Sequence, residues 1–136
     1  GYKTAFQQKE TRSIDLDIKF KINSANLAQK SIRQLNALGK ALLDKSFSNT
    51  AIIIAGHTDA SGSSVFNNQL SRNRAKAVSY YLQKNFKISS EKLSIIGFGA
   101  TRLKNILQPY ASINRRVEIM VEERDTAQRK SGKIKW

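Results

Sequence analysis

The chain has 136 residues, with 24 Lys and Arg against 10 Asp and Glu, a formal net charge of +14, one histidine and no cysteine. That length suits one ordinary domain with one contiguous core, and the missing cysteines exclude a disulfide framework and thiolate chemistry while leaving the compartment open. His57 stands without a clustered set of His and carboxylates, so neither a transition-metal site nor any other cofactor is implied.

A field of this sign draws polyanions such as nucleic acid, anionic lipid or an anionic wall polymer, and it serves solubility equally well. The longest apolar run, Ala51–Ala55, is far too short to cross a bilayer. The chain opens at Gly1 and reads as a processed or trimmed piece, with any targeting signal or anchor upstream of it. Residues 1–12 read as a lead-in, residues 13–123 as the domain, and the basic stretch Arg124–Trp136 as a frayed tail.

In Ser13–Ile22 the residues Ile14, Leu16, Ile18, Phe20 and Ile22 alternate with polar ones, the period of a strand with one buried face. Asn23 and Ser24 supply a turn and helix-start signal. From Leu27 to Leu43 the residues Leu27, Ile32, Leu35, Leu38, Leu42 and Leu43 recur at helical steps, and Lys40 and Lys45 suit the negative end of the helix dipole. Ala51–His57 is short, β-branched and continuously apolar, a central strand.

After a loop at Thr58–Ser63, a second helix is expected over Ser64–Asn85. Ser63 or Ser64 would cap it, with Leu70, Ala77, Val78, Tyr81 and Leu82 inward. Tyr80 and Tyr81 read as one surface and one core residue. Leu93–Ile96 is a third strand, Gly97–Thr101 a turn, and Val117–Val121 a fourth strand with Val117, Ile119 and Val121 opposing Glu118 and Met120. The order predicts an α+β fold, a two-layer βαβαββ sandwich with helices packed on a mixed sheet and right-handed helical crossovers.

Arg74 disturbs this pattern. It follows Leu70 and precedes Val78 by four residues each, so the inward stripe of the second helix carries a charge that low dielectric does not tolerate unpaired. Two partners fit. One is a structural salt bridge to Asp59. The other is a ligand between them, its carboxylate on the planar fork of Arg74 and its ammonium on Asp59. His57, Asp59 and Ser61 invite a hydrolytic triad, but no G-x-S-x-G elbow accompanies them and His57 reads as a packed strand-end residue. Gly97-Phe98-Gly99 lacks the third glycine and the following helix of a dinucleotide site.

Four motifs occur in order: T-D-x-x-G at Thr58, Asp59 and Gly62; N-x-x-L-S-x-x-R-A at Asn67, Leu70, Ser71, Arg74 and Ala75; G-x-G at Gly97 and Gly99; and N-R-R-V-E-I from Asn114 to Ile119. Together they resemble the OmpA C-terminal-like domain over Ile14–Glu122. The resemblance implies a non-enzymatic, non-covalent binder of peptidoglycan in the periplasm of a Gram-negative bacterium. The ligand group is the meso-diaminopimelate of the stem peptide, with its ammonium on Asp59 and its carboxylate on Arg74. It adds Thr58, Gly62, Asn67 and Leu70 to the site. Asn23, in the segment Phe20–Leu27 that resembles a pocket-lining loop, keeps the hydrogen bonding of the Asp often found there and drops its charge. Arg115 or Arg116 borders the pocket, and either serves equally as a strand anchor; Arg115 is taken into the site.

Between Gly99 and Asn114 the usual G-E and acidic residues are missing, and Arg102 and Lys104 stand in the loop instead. Family members occur as the tail of an outer-membrane barrel, on a lipid anchor, in a flagellar stator or within secretion machinery. Membrane attachment would run through a segment not in this chain, and a dimer is implied only for the stator kind. The competing reading is a nucleic-acid or polyanion module driven by the charge; no strand with interleaved basic and aromatic residues supports it.

Overall fold

The computed structural model describes residues 11–16, 18, 20 and 24–123. Asn23 and the basic tail lie outside them. The described elements are β1 (Thr11–Leu16), α1 (Gln29–Leu42), β2 (Thr50–Gly56), α2 (Ser64–Phe86), β3 (Leu93–Gly97) and β4 (Val117–Glu123), joined in places by single 3₁₀ turns. This is the expected α+β order. β1 begins at Thr11, so the expected boundary at residue 13 falls inside the strand.

The four-stranded sheet runs β1-β4-β2-β3. β2 and β3 are parallel, as strands joined by a helical crossover must be, and β4 is antiparallel to both β2 and β1. Register places Ile54 opposite Ile119 and Ile95, and Ile52 opposite Val121 and Leu93. Because side chains alternate across a strand, this aligns one apolar face against the helices. The core there comprises Leu35, Leu38 and Leu42 from α1, Ala75, Val78 and Leu82 from α2, and Ile18 and Phe20 from the segment after β1.

α1 ends one residue short of expectation, and Leu43, assigned to its apolar stripe, is 59% exposed. α2 is capped by Ser63, whose side chain accepts from the Phe66 amide at 3.1 Å. Tyr81 is half-buried and donates its hydroxyl to Asn36 Oδ1 at 2.6 Å, whereas Tyr80 is exposed.

The larger correction concerns the inner face of α2. Leu70 and Ala77 are only half-buried, and the buried positions in the first half of the helix are Asn67, Ser71 and Arg74. Counting hydrophobic residues misplaces this face because half of it serves polar backbone at the strand ends rather than the apolar core.

Candidate functional site

Parallel β2 and β3 end side by side, with Gly56 opposite Gly97, and β4 starts at the same end with Val117 opposite Gly56. Three connecting segments therefore meet beneath the first turns of α2. They approach very closely: a Cβ on Gly56 would lie 1.9 Å from the Ser71 carbonyl oxygen, so only glycine fits. Gly99 holds a left-handed conformation with φ +58°, and its amide donates to Ser71 Oγ at 2.8 Å. The Thr58 amide donates to Gly99 O at 2.9 Å, and the His57 amide to Arg116 O at 2.9 Å. Ser71 and the G-x-G turn thus fix the loop that carries Asp59.

Asp59 is buried at the floor of this loop. Its Oδ1 accepts from the Ser61 amide at 2.9 Å and from the Ser61 hydroxyl, a local Asx turn. Its Oδ2 accepts from Arg115 Nη1 at 2.6 Å. Sequence offers Asp59 an ion pair with Arg74 or a ligand between the two; the structure also brings Arg115, immediately before β4, onto Asp59. Burial alone would raise the Asp59 carboxyl; the Ser61 hydroxyl, the Arg115 guanidinium and the Ser61 amide outweigh it and hold the group below its usual value.

Arg74 is fully buried. Its Nε donates to Ser24 O at 2.9 Å, its Nη1 points to His57 O at 3.5 Å, and its guanidinium carbon stands 5.1 Å from the centre of the Phe20 ring. Burial and the positive charge of Arg115 push it down to about 10, against the pull of Asp59. It stays cationic at neutral pH, at an electrostatic cost that a nearby anion would relieve.

Thr58, Asp59, Ser61, Asn67, Leu70, Arg74 and Arg115 together line one narrow notch. Six of the residues expected in the site meet here. Gly62 stands beside the notch, exposed, with φ +83° in the loop that turns toward Ser63. Ser61, considered from sequence only as part of a triad, is a lining residue; the D-x-S spacing of an Asx turn is the signal that identifies it. The triad itself does not form. Ser61 gives its hydroxyl to Asp59, whereas His57 lies with Nε2 3.2 Å from Glu118 Oε1 and its ring stacked on Phe98 at 5.3 Å.

The remaining motif residues support the walls. Buried Asn114 donates Nδ2 to Gln108 O at 2.9 Å and accepts the Asn105 amide on Oδ1 at 2.9 Å, closing the loop between them. That loop in turn receives the Ala60 amide on Pro109 O at 2.9 Å. Arg102 stacks over Phe98 with 4.0 Å to the ring centre, and Arg116 Nη2 donates to Arg102 O at 3.3 Å. Arg116 is thus directed to the loop and Arg115 to the pocket, which separates two residues that sequence treats alike.

The model of the OmpA family matches residues 19–116, a span that contains the whole notch. The chain belongs to the OmpA family. Outer membrane porin F of Pseudomonas aeruginosa is 30% identical over 83% of the chain, and peptidoglycan-associated lipoprotein of Legionella pneumophila is 32% identical over 76% of it. The chain spans 32% of the length of the porin and 58% of the lipoprotein. Among solved structures, the OmpA-like domain of FopA1 from Francisella tularensis superposes with a TM-score of 0.71 at 26% identity, covering 83% of this chain and 73% of that one. The two-helix, mixed-sheet architecture is that of the OmpA-like domain, and the four sequence motifs are the parts that build the notch and its walls.

Proposed function

We propose that this domain binds peptidoglycan non-covalently through the meso-diaminopimelate of the stem peptide and so ties an envelope protein to the cell wall. The observation that carries the reading is the convergence of one carboxylate, Asp59, and two guanidiniums, Arg74 and Arg115, on a single notch. A diamino acid with a free ammonium and a free carboxylate on one carbon offers the complementary charges. Thr58, Asn67 and Leu70 complete the wall, Gly62 stands beside it, and Asn23 is included on the resemblance of its segment alone. The names of relatives, porins and a peptidoglycan-associated lipoprotein, support a place in the envelope. This chain would then work in the periplasm, as a binder and not an enzyme, attached through a segment outside the sequence described.

Co-sedimentation with insoluble sacculi and titration with free meso-diaminopimelate test this. Asp59→Ala and Arg74→Ala should each remove most of the binding while circular dichroism remains that of a folded domain. Folded variants that sediment like the wild type overturn the proposal. Binding through the notch should also resist salt that abolishes diffuse attraction of the basic chain to an anionic polymer.

A further inference from the structure

We propose that the loop between β3 and β4 is a lipid-contacting tip, which dips apolar side chains into the interface of an anionic phospholipid membrane and holds them there with neighbouring cations. The inference is independent of the peptidoglycan reading and concerns a surface outside the notch. Among the described residues nine large hydrophobic side chains are exposed, and four of them, Ile106, Leu107, Tyr110 and Ile113, fall within one stretch of this loop. Val65 and Phe66, in the first turn of α2, are exposed at the same end of the sheet. Single exposed apolar residues are ordinary, but a cluster of them marks a contact surface.

Leu107 is 91% exposed and Ile106 77%, so these side chains project from the surface. A projecting tip suits a medium that yields around it, as a bilayer interface does, whereas a protein partner would need a matching pocket. The backbone of the tip is prepared for such a medium. The Leu107 amide donates to Asn105 Oδ1 at 3.1 Å and the Gln108 amide to Asn105 O at 3.2 Å, while the Gln108 and Pro109 carbonyls accept from Asn114 and Ala60. Peptide groups that already have partners inside the protein can leave water at little cost.

Charge selects the kind of membrane. No Asp or Glu occurs between Glu91 and Glu118, whereas Arg102 and Lys104 stand exposed just before Ile106. Long basic side chains beside apolar ones keep their stems on the apolar layer and reach phosphate with their heads. Tyr110 suits the boundary, with its ring inward and its hydroxyl in water. The net charge of +14 draws the chain to an anionic surface, and the loop supplies the part that enters it. The presence of Arg102 and Lys104 where acidic residues are usual thereby acquires a physical reason. Such contact is shallow and peripheral.

Flotation with vesicles tests this, using equal parts of phosphatidylglycerol and phosphatidylcholine and, separately, phosphatidylcholine alone. The wild type should partition onto the anionic vesicles and not onto the neutral ones. Ile106→Ser combined with Leu107→Ser keeps every charge and should lower the partition constant by at least about 10-fold. Arg102→Gln combined with Lys104→Gln keeps the apolar tip and should lower it by about 10-fold or more. The chain has no cysteine, so a polarity-sensitive dye can be placed at a single site. On Leu107→Cys its emission should shift to the blue when vesicles bind; on Ser48→Cys, exposed just before β2 at the opposite end of the sheet, it should not. A folded serine variant that binds as the wild type does, or a dye at position 107 that stays in water, reduces the attraction to diffuse charge and overturns the proposal. Self-association of the wild type that the serine variant loses, without insertion, assigns the tip to a protein interface and overturns it too. Binding to sacculi should persist in the serine variant; its loss together with vesicle binding would merge tip and notch into one surface and overturn the proposal.

Discussion

The two halves of α2 bury the same face of one helix and do different work with it. From Ala75 onward that face presents Ala75, Val78 and Leu82 to the apolar layer beneath the sheet. Before Ala75 it presents Asn67, Ser71 and Arg74, which meet the strand-end loops, with Ser71 accepting the Gly99 amide and Arg74 donating to two carbonyls. Burial alone does not distinguish a core from a site. What distinguishes them is the underlying surface: β-strand side chains in one half, and backbone polar groups left over where strands end in the other. Polar residues are retained where they satisfy such groups, because leaving a buried amide or carbonyl unpaired costs about 1–3 kcal/mol.

The sharpest way to break this comparison is to truncate each half in turn. Leu82→Ala should cost about 2–5 kcal/mol of unfolding free energy, measured by urea denaturation, through lost burial and the cavity left behind. Its folded fraction should bind sacculi as the wild type does. Arg74→Met should show the reverse weighting. Ligand binding should fall by about 1.5–3 kcal/mol, the worth of hydrogen bonds to a charged group. Stability should change less than in Leu82→Ala, because the loss of two carbonyl partners is offset by removing a buried cation. Equal stability losses in both variants would mean that the two halves are one core.

Asn114→Ala sharpens the boundary from the loop side. It removes the donor to Gln108 O and the acceptor for the Asn105 amide. A loss of about 1–3 kcal/mol is expected, together with faster amide exchange at Ala60, whose hydrogen bond to Pro109 depends on that loop. The smallest effect concerns pH. Asp59 has a folded value below its ordinary 3.8, so its charge contributes stability above that value, and the contribution is lost as pH falls through the depressed folded value. Unfolding free energy followed from about pH 5 to about pH 2 should therefore decline less steeply in Asp59→Asn than in the wild type.

Much of the architecture is legible in the sequence. Period-two alternation in Val117–Val121 marks β4 and its inward residues, and Ser63 is readable as a cap because helix N-termini favour a hydroxyl acceptor. Such signals are local, within a few residues, and the physics they report is local too. The anomaly at Arg74 was equally visible, since a charge on an apolar stripe demands a partner wherever the chain places one. The motif order was enough to indicate the family.

Sequence did not determine which guanidinium pairs with Asp59. Arg115 stands 56 positions from Asp59 and beside an identical residue, and nothing in a strand's periodicity says which of two adjacent arginines faces a loop at the far end of the sheet. The pairing of β4 between β1 and β2 decides it, because antiparallel register sets Val117 opposite Gly56 and so delivers Arg115 to Asp59 and Arg116 toward Arg102. Composition and spacing fixed the elements and the demand for a counter-charge. Only the tertiary register, set by long-range strand pairing, decided which of two adjacent arginines pairs with Asp59.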